Sequence, residues 1–218
     1  MNDFLSYLDD NSSEIWQLLR EHIYLAIIPV VLGLVIALPL GWLASARPRW
    51  ATPLLATTGV LYTVPSLAVF LLLPPILGTG ILDRINIIVA LTIYTVALLL
   101  RSVIDGLSSV PEHVRIAAIA LGYGPLRRLV GVDLPIAVPV IMAGLRVATV
   151  ANVSLVSVGA LIGVGGLGEL FTRGFQIGDT NPIIAGVVLS VLLALSADAV
   201  LVLVQWTATP WTRLGRAR

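Results

Sequence analysis

The chain has 218 residues, 58% of them hydrophobic and only 11% charged, with a net charge of +1. Soluble domains carry about 25% charged residues, so a water-soluble core of this size is excluded. All 13 basic residues are arginine, which rules out a phosphate-binding loop with its essential lysine, and the absence of cysteine rules out disulfides, iron–sulfur clusters, thiolate zinc sites and a cysteine nucleophile.

The first residues carry Asp3, Asp9, Asp10 and Glu14 rather than a basic stretch, which reads against a cleavable signal peptide. Asn11 followed by Glu14 fits a capping box, and Ile15, Trp16, Leu18 and Leu19 form one apolar stripe. Two readings stay open for residues 1–22: a helix lying in the outer membrane interface, or an extension of the first span.

A membrane span needs about 20 apolar residues. Ile23 to Ala46 is the first such stretch. Trp50 to Leu82 carries no charge and suits one span plus a turn, with Pro53 at its start and Pro74-Pro75 near its end. Ile85 to Leu100 extends to Ile104 if Arg101 snorkels. Leu134 to Gly168 holds one charge, Arg146, and Thr180 to Thr207 holds one, Asp198. The prediction is an all-α polytopic membrane protein with five spans inside residues 23–207 and a tail at 208–218.

Arginines in the connections set the orientation, since cytoplasmic loops are enriched in them. Arg20, Arg84 and Arg173 fall on one side; Arg47, Arg49, Arg101, Arg115, Arg127, Arg128, Arg213, Arg216 and Arg218 fall on the other. This bias predicts the N-terminus outside and the C-terminus inside.

The long polar loop, residues 105–135, then lies in the cytoplasm. Pro111 and Glu112 open a helix, Gly122, Gly124 and Pro125 break it, and Leu126 to Val132 form a second short helix ending before Leu134-Pro135. Two small helices around a glycine turn make a knob suited to another protein's groove.

The run Ala117-Ala118, Gly122, and Val132-x-Leu134-Pro135 resembles the E-A-A-x3-G-x9-I-x-L-P signature of ABC importer permeases, with Ile116 standing where that family usually has glutamate. The resemblance implies that this loop enters a cleft on a separate ATPase subunit, which binds Mg-ATP. The expected coupling residues are Glu112, Arg115, Ala117, Ala118, Gly122, Tyr123, Gly124, Leu134 and Pro135. Tyr62 to Ala68 and Gly159 to Gly168 are similar to segments of permeases importing glycine betaine, carnitine and choline. Methionine and phosphonate-type permeases have related glycine-rich segments. What the resemblance implies as partners is a second permease chain, identical or homologous, two ATPases and an extracytoplasmic solute-binding protein, in the plasma membrane of a prokaryote, with no nucleic acid.

Gly163-x-Gly165-x-x-Gly168 also fits a dinucleotide fingerprint, but it lacks the preceding strand and the acidic residue downstream. The glycines are read instead as permitting close backbone approach at the outer face. Pro65 predicts a kink in span two, either for packing alone or exposing carbonyls to a pathway beside Tyr62, Ser66, Tyr94, Asn152 and Ser157. Tyrosine faces attract quaternary ammonium groups. Arg146 and Asp198, costly at membrane depth, are expected either to pair or, for Arg146, to line an aqueous vestibule. His22 and His113 fall on opposite sides of the membrane, so no metal site is expected, and no catalytic constellation is present. The chain is expected to bind no cofactor itself. A secondary transporter is the remaining alternative, disfavoured because intramembrane carboxylates are scarce.

Overall fold

The computed structural model describes residues 2–211; the tail arginines Arg213, Arg216 and Arg218 lie outside the described residues. Only Asn11 separates α1 (Asn2–Asp10) from α2 (Ser12–Ala46). The expected capping box is not made. Asn11 Nδ2 instead donates to the Tyr7 carbonyl at 2.8 Å, serving the end of α1. Residues 12–22 continue without a break into the first span, whereas residues 2–10 form the separate α1. At 1.5 Å per residue α2 is about 52 Å long, well beyond a bilayer core of about 30 Å.

One face of α2 is built of small residues: Gly33, Ala37, Gly41 and Ala44 are all buried. A Cβ added at Gly33 would stand 2.4 Å from Thr95 Cγ2, and one at Gly41 would stand 2.4 Å from Val103 Cγ1. This strip is what lets α5 (Arg84–Ser108) approach α2 closely, the usual way apolar helices associate without hydrophobic driving force between them. Buried Ile87, Leu91, Leu99 and Val103 place α5 at the centre of the bundle. It packs against α2, α3, α4 and α8. It runs one turn past the predicted end at Ile104.

Span two is broken, not kinked. α3 (Pro48–Thr63) and α4 (Ser66–Leu77) meet at 101°. The residue before a proline disfavours helical geometry, and Val64 (ψ 131) and Pro65 (ψ 130) are both extended. Pro29, Pro39 and Pro53, by contrast, lie inside helices that continue through them. α4 turns back against α5 and α8, burying Phe70 completely.

α6 (Glu112–Ala120) and α7 (Pro125–Arg128) form the knob. The second knob helix does not stop before Leu134. It passes through one wide π turn, Leu129–Asp133, straight into α8 (Leu134–Gly159). The wide turn ends immediately before Leu134-Pro135, where a regular helix could not use the missing N–H of Pro135. After α8 come two short 3-10 turns, then α9 (Glu169–Ile177) and α10 (Thr180–Ala208). Among the described residues four single helices are long and apolar enough to span a membrane, and counting the bent pair as one span gives the five predicted.

Candidate functional site

At one end of the bundle the glycine-rich loop closes over the start of α2. Val164 N–H donates to the Gly159 carbonyl at 3.1 Å, and Gly163 and Gly166 adopt φ of +87° and +51°. A Cβ at Gly166 would lie 2.7 Å from the His22 backbone nitrogen. The loop backbone thus lies directly on α2, the close approach that the glycines were expected to allow.

His22 locks this contact. Fully buried, its Nε2–H donates to the Val153 carbonyl at 2.9 Å, while Nδ1 accepts from the Leu167 N–H at 3.2 Å. A neutral ring with its proton on Nε2 satisfies both bonds and joins α2, α8 and the loop. His22→Ala is expected to leave the Leu167 N–H without a partner over a cavity, lowering stability by about 2–4 kcal/mol. Thermal unfolding of the purified protein reads this directly, and His22→Leu, which refills the volume, should recover only part of the loss.

Two ion pairs frame the same end: Arg84 with Glu21 at 2.8 Å and Arg173 with Glu14 at 2.6 Å. Beside the Arg173–Glu14 pair a cavity of about 570 Å³ is lined by Glu14, Gly163, Glu169, Arg173 and Phe175 among others. Burial lifts the Glu169 carboxyl above its usual range, against the opposing Gly165 hydrogen bond, with the Glu21 and Glu14 charges adding to the rise. A carboxyl raised on folding contributes stability that is complete below its unfolded value and lost as pH rises through the folded one. Glu169→Gln is therefore expected to raise the unfolding midpoint at neutral pH and to change nothing near about pH 4, as a pair of melting curves would show.

The residues expected along a pathway separate into two groups. At the helix break Tyr94 is buried, donating its hydroxyl to the Val64 carbonyl at 2.5 Å and standing edge-on to Tyr62 with ring centroids 5.8 Å apart. Tyr62 is 45% exposed, Pro65 is exposed, and Ser66 and Ser157 are half-buried. Asn152 is different. It is fully buried, donating to Thr95 Oγ1 at 2.9 Å, and faces the bundle interior rather than an open surface. Its polarity signalled a special position; hydrogen bonding to α5 explains it.

Arg146 and Asp198 do pair, within one chain. Arg146 Nε donates to Oδ1 at 2.6 Å and Nη2 to Oδ2 at 2.8 Å, a two-pronged bridge between α8 and α10.

At the opposite end the knob exposes a strongly apolar face: Ile116 59%, Ile119 57%, Leu121 76% and Leu126 64%. Glu112 and Ala117 share the exposure, and Ala118 is buried beneath. Gly122, at φ +79°, turns the chain with open space around it. Arg115 does not point outward. Its guanidinium donates to the Leu107 carbonyl and ties α6 to the end of α5. Arg127 stacks on Tyr123 at 4.5 Å, and Arg128 bridges to buried Asp133 at 3.1 Å across the π turn. Leu134 and Pro135, half-buried, begin α8 itself.

This geometry has known counterparts. The chain is 31% identical over 96% of its length to the glycine betaine/carnitine/choline transport system permease protein OpuCB of Bacillus subtilis, covering 95% of that protein. It is 35% identical to the osmoprotectant import permease protein OsmW of Salmonella typhimurium, with 95% and 98% covered. Inward-facing crystal structures of the MetNI methionine ABC transporter share the fold, one superposing with a TM-score of 0.77 at 23% identity over 90% of this chain and 98% of theirs. Residues 30–206 match the family described as binding-protein-dependent transport system inner membrane component, and the chain, a multi-pass plasma-membrane permease subunit, belongs to that family.

Proposed function

We propose that this chain is the permease of an ATP-driven importer for quaternary-ammonium osmoprotectants, assembled from two permease chains, two ATPases carrying Mg-ATP and one extracytoplasmic binding protein. In this reading the N-terminus lies outside, the described end of α10 inside, and the glycine-loop end receives the binding protein.

The observation that carries the reading is the knob: four large apolar side chains exposed together on a short helix pair beyond the membrane bundle. Such a patch on the water side marks a protein interface. The knob is stiffly attached at two points, through Arg115 to the end of α5 and through the π turn to α8. Closure of the ATPases would draw two knobs together, swing α5 and α8 with them, and open the bundle outward. Tyr62, Pro65 and Ser66 at the break and Ser157 on α8 would meet the solute, with buried Tyr94 holding the break through Val64. High-affinity capture belongs to the binding protein, because a permease holding cargo equally in both states could not release it. The relatives' names supply the solute class.

Uptake of labelled glycine betaine, carnitine, choline and methionine into vesicles holding the complete importer tests this. ATP-dependent accumulation of the quaternary-ammonium solutes is expected. Accumulation of methionine alone would overturn the solute class, and transport without an ATPase would overturn the mechanism.

A further inference from the structure

Arg146 and Asp198 are 37% and 29% exposed at membrane depth. Charges there face a water-filled cavity or another protein surface rather than lipid, and they mark solute pathways. Stability alone does not account for the pair, since apolar side chains of similar volume usually serve as well.

The surroundings show what the pair faces. Counting in steps of four, seven and eight along α8 puts Arg146 on the strip that carries Val150, Val153 and Ser154. The same steps backward along α10 put Asp198 beneath Ala194, Val191 and Ser190. These strips are the two walls of a groove of about 270 Å³, with Phe171 also lining it. The walls are apolar apart from serine hydroxyls, and the Ser190 hydroxyl is buried with no hydrogen-bond partner. The pair does not itself line the groove but stands one helical turn beyond its wall residues Val150 and Ala194, so methyl-lined sides, a spare hydroxyl and, a turn further on, one positive and one negative group suit a small zwitterion.

We propose that the Arg146–Asp198 pair is a transient subsite for zwitterionic solute, whose carboxylate takes the Arg146 fork while its ammonium end takes the Asp198 carboxylate. The exchange conserves charge: one ion pair opens and two form, so no uncompensated charge is left at membrane depth. A cation lacking a carboxylate would engage Asp198 only and leave Arg146 unpaired. The pair therefore selects zwitterions over cations. This rests on the importer reading above.

The test uses the complete importer in vesicles, with labelled glycine betaine as the zwitterion and choline as the cation, and with binding-protein affinities measured separately. Wild type is expected to favour glycine betaine at the permease step. Arg146→Gln should lower glycine betaine entry by about tenfold, the worth of a charge-assisted hydrogen bond, and spare choline. Asp198→Asn should lower both. In the double variant, which leaves no unpaired charge, the ratio of the two rates should fall to about one while ATP hydrolysis persists. A ratio unchanged in all three variants, including a parallel fall in both rates, would overturn the subsite and leave the pair as a clasp for α10. A wild-type complex that accumulates neither solute with ATP would overturn the importer reading, and the subsite with it.

Discussion

Changing Ile116 and Ile119 together to aspartate is expected to abolish ATP-driven uptake while the membrane bundle stays folded. Both side chains are more than half exposed, so their loss should shift folding stability by less than about 0.5 kcal/mol each. In a docked complex they are the apolar anchors of the knob, and interface anchors of this kind carry about 2 kcal/mol or more apiece. Association with the ATPase should weaken by about a hundredfold or more. Copurification of the ATPase reads the binding, and a melting curve reads the fold. Retained ATPase and retained uptake would place the motor's grip elsewhere. Ile116 also stands where the signature this loop resembles has glutamate, so an aspartate pair tests whether the partner cleft is apolar at that spot.

The second large effect is structural. Gly165→Ala is expected to destabilise the protein by about 3 kcal/mol. Its added Cβ would lie 2.2 Å from the Ala160 nitrogen and 2.5 Å from the Ala160 Cα. Both are backbone atoms, so no rotamer change relieves the clash and the loop must open away from Ala160 at the end of α8, straining the Leu167 to His22 bond two residues on. Gly178→Ala is the control. Its φ of +69° penalises alanine by about 1–2 kcal/mol, but nothing lies within 4 Å of the new atom. Gly165 is not among the positive-φ glycines, so its whole shift reports the clash, and a shift no larger than that of Gly178→Ala would contradict a packing cost of about 3 kcal/mol.

Much of this architecture was legible from local pattern. Length of apolar run located the spans, and the cost of leaving either charge alone made pairing of Arg146 with Asp198 one of two readings, of which the structure forms the pair. What stayed illegible depends on contacts between distant segments. His22 meets Leu167 across 145 positions, and nothing near it marks it as a clasp except its place beside an apolar run. The strip Gly33, Ala37, Gly41 was visible as small residues at helical spacing, a signal passed over because every residue around it is apolar too. Asn11 and Glu14 matched a capping pattern, yet the carbonyl of Tyr7 competed successfully for the side chain. Asn152 was read as pathway because polar residues are rare in spans. Its partner Thr95 lies on another helix, where only the fold reveals it. At Pro65 the expected kink became a break because two consecutive residues, not one, leave helical geometry.

The attachment of α10 sets its mechanical character. Its buried residues, Pro182, Ala185 and Gly186, all sit near its beginning, and below them the bridge to Arg146 is the sole ion pair it makes among the described residues. Pivoting about Gly186, a tilt of about 5° would sweep Ala208 through about 3 Å, because about 33 Å of helix lies between them. A small tilt at the α9 end of the helix would thereby be geared up into a much larger excursion at its other end, with the one guanidinium as its tether.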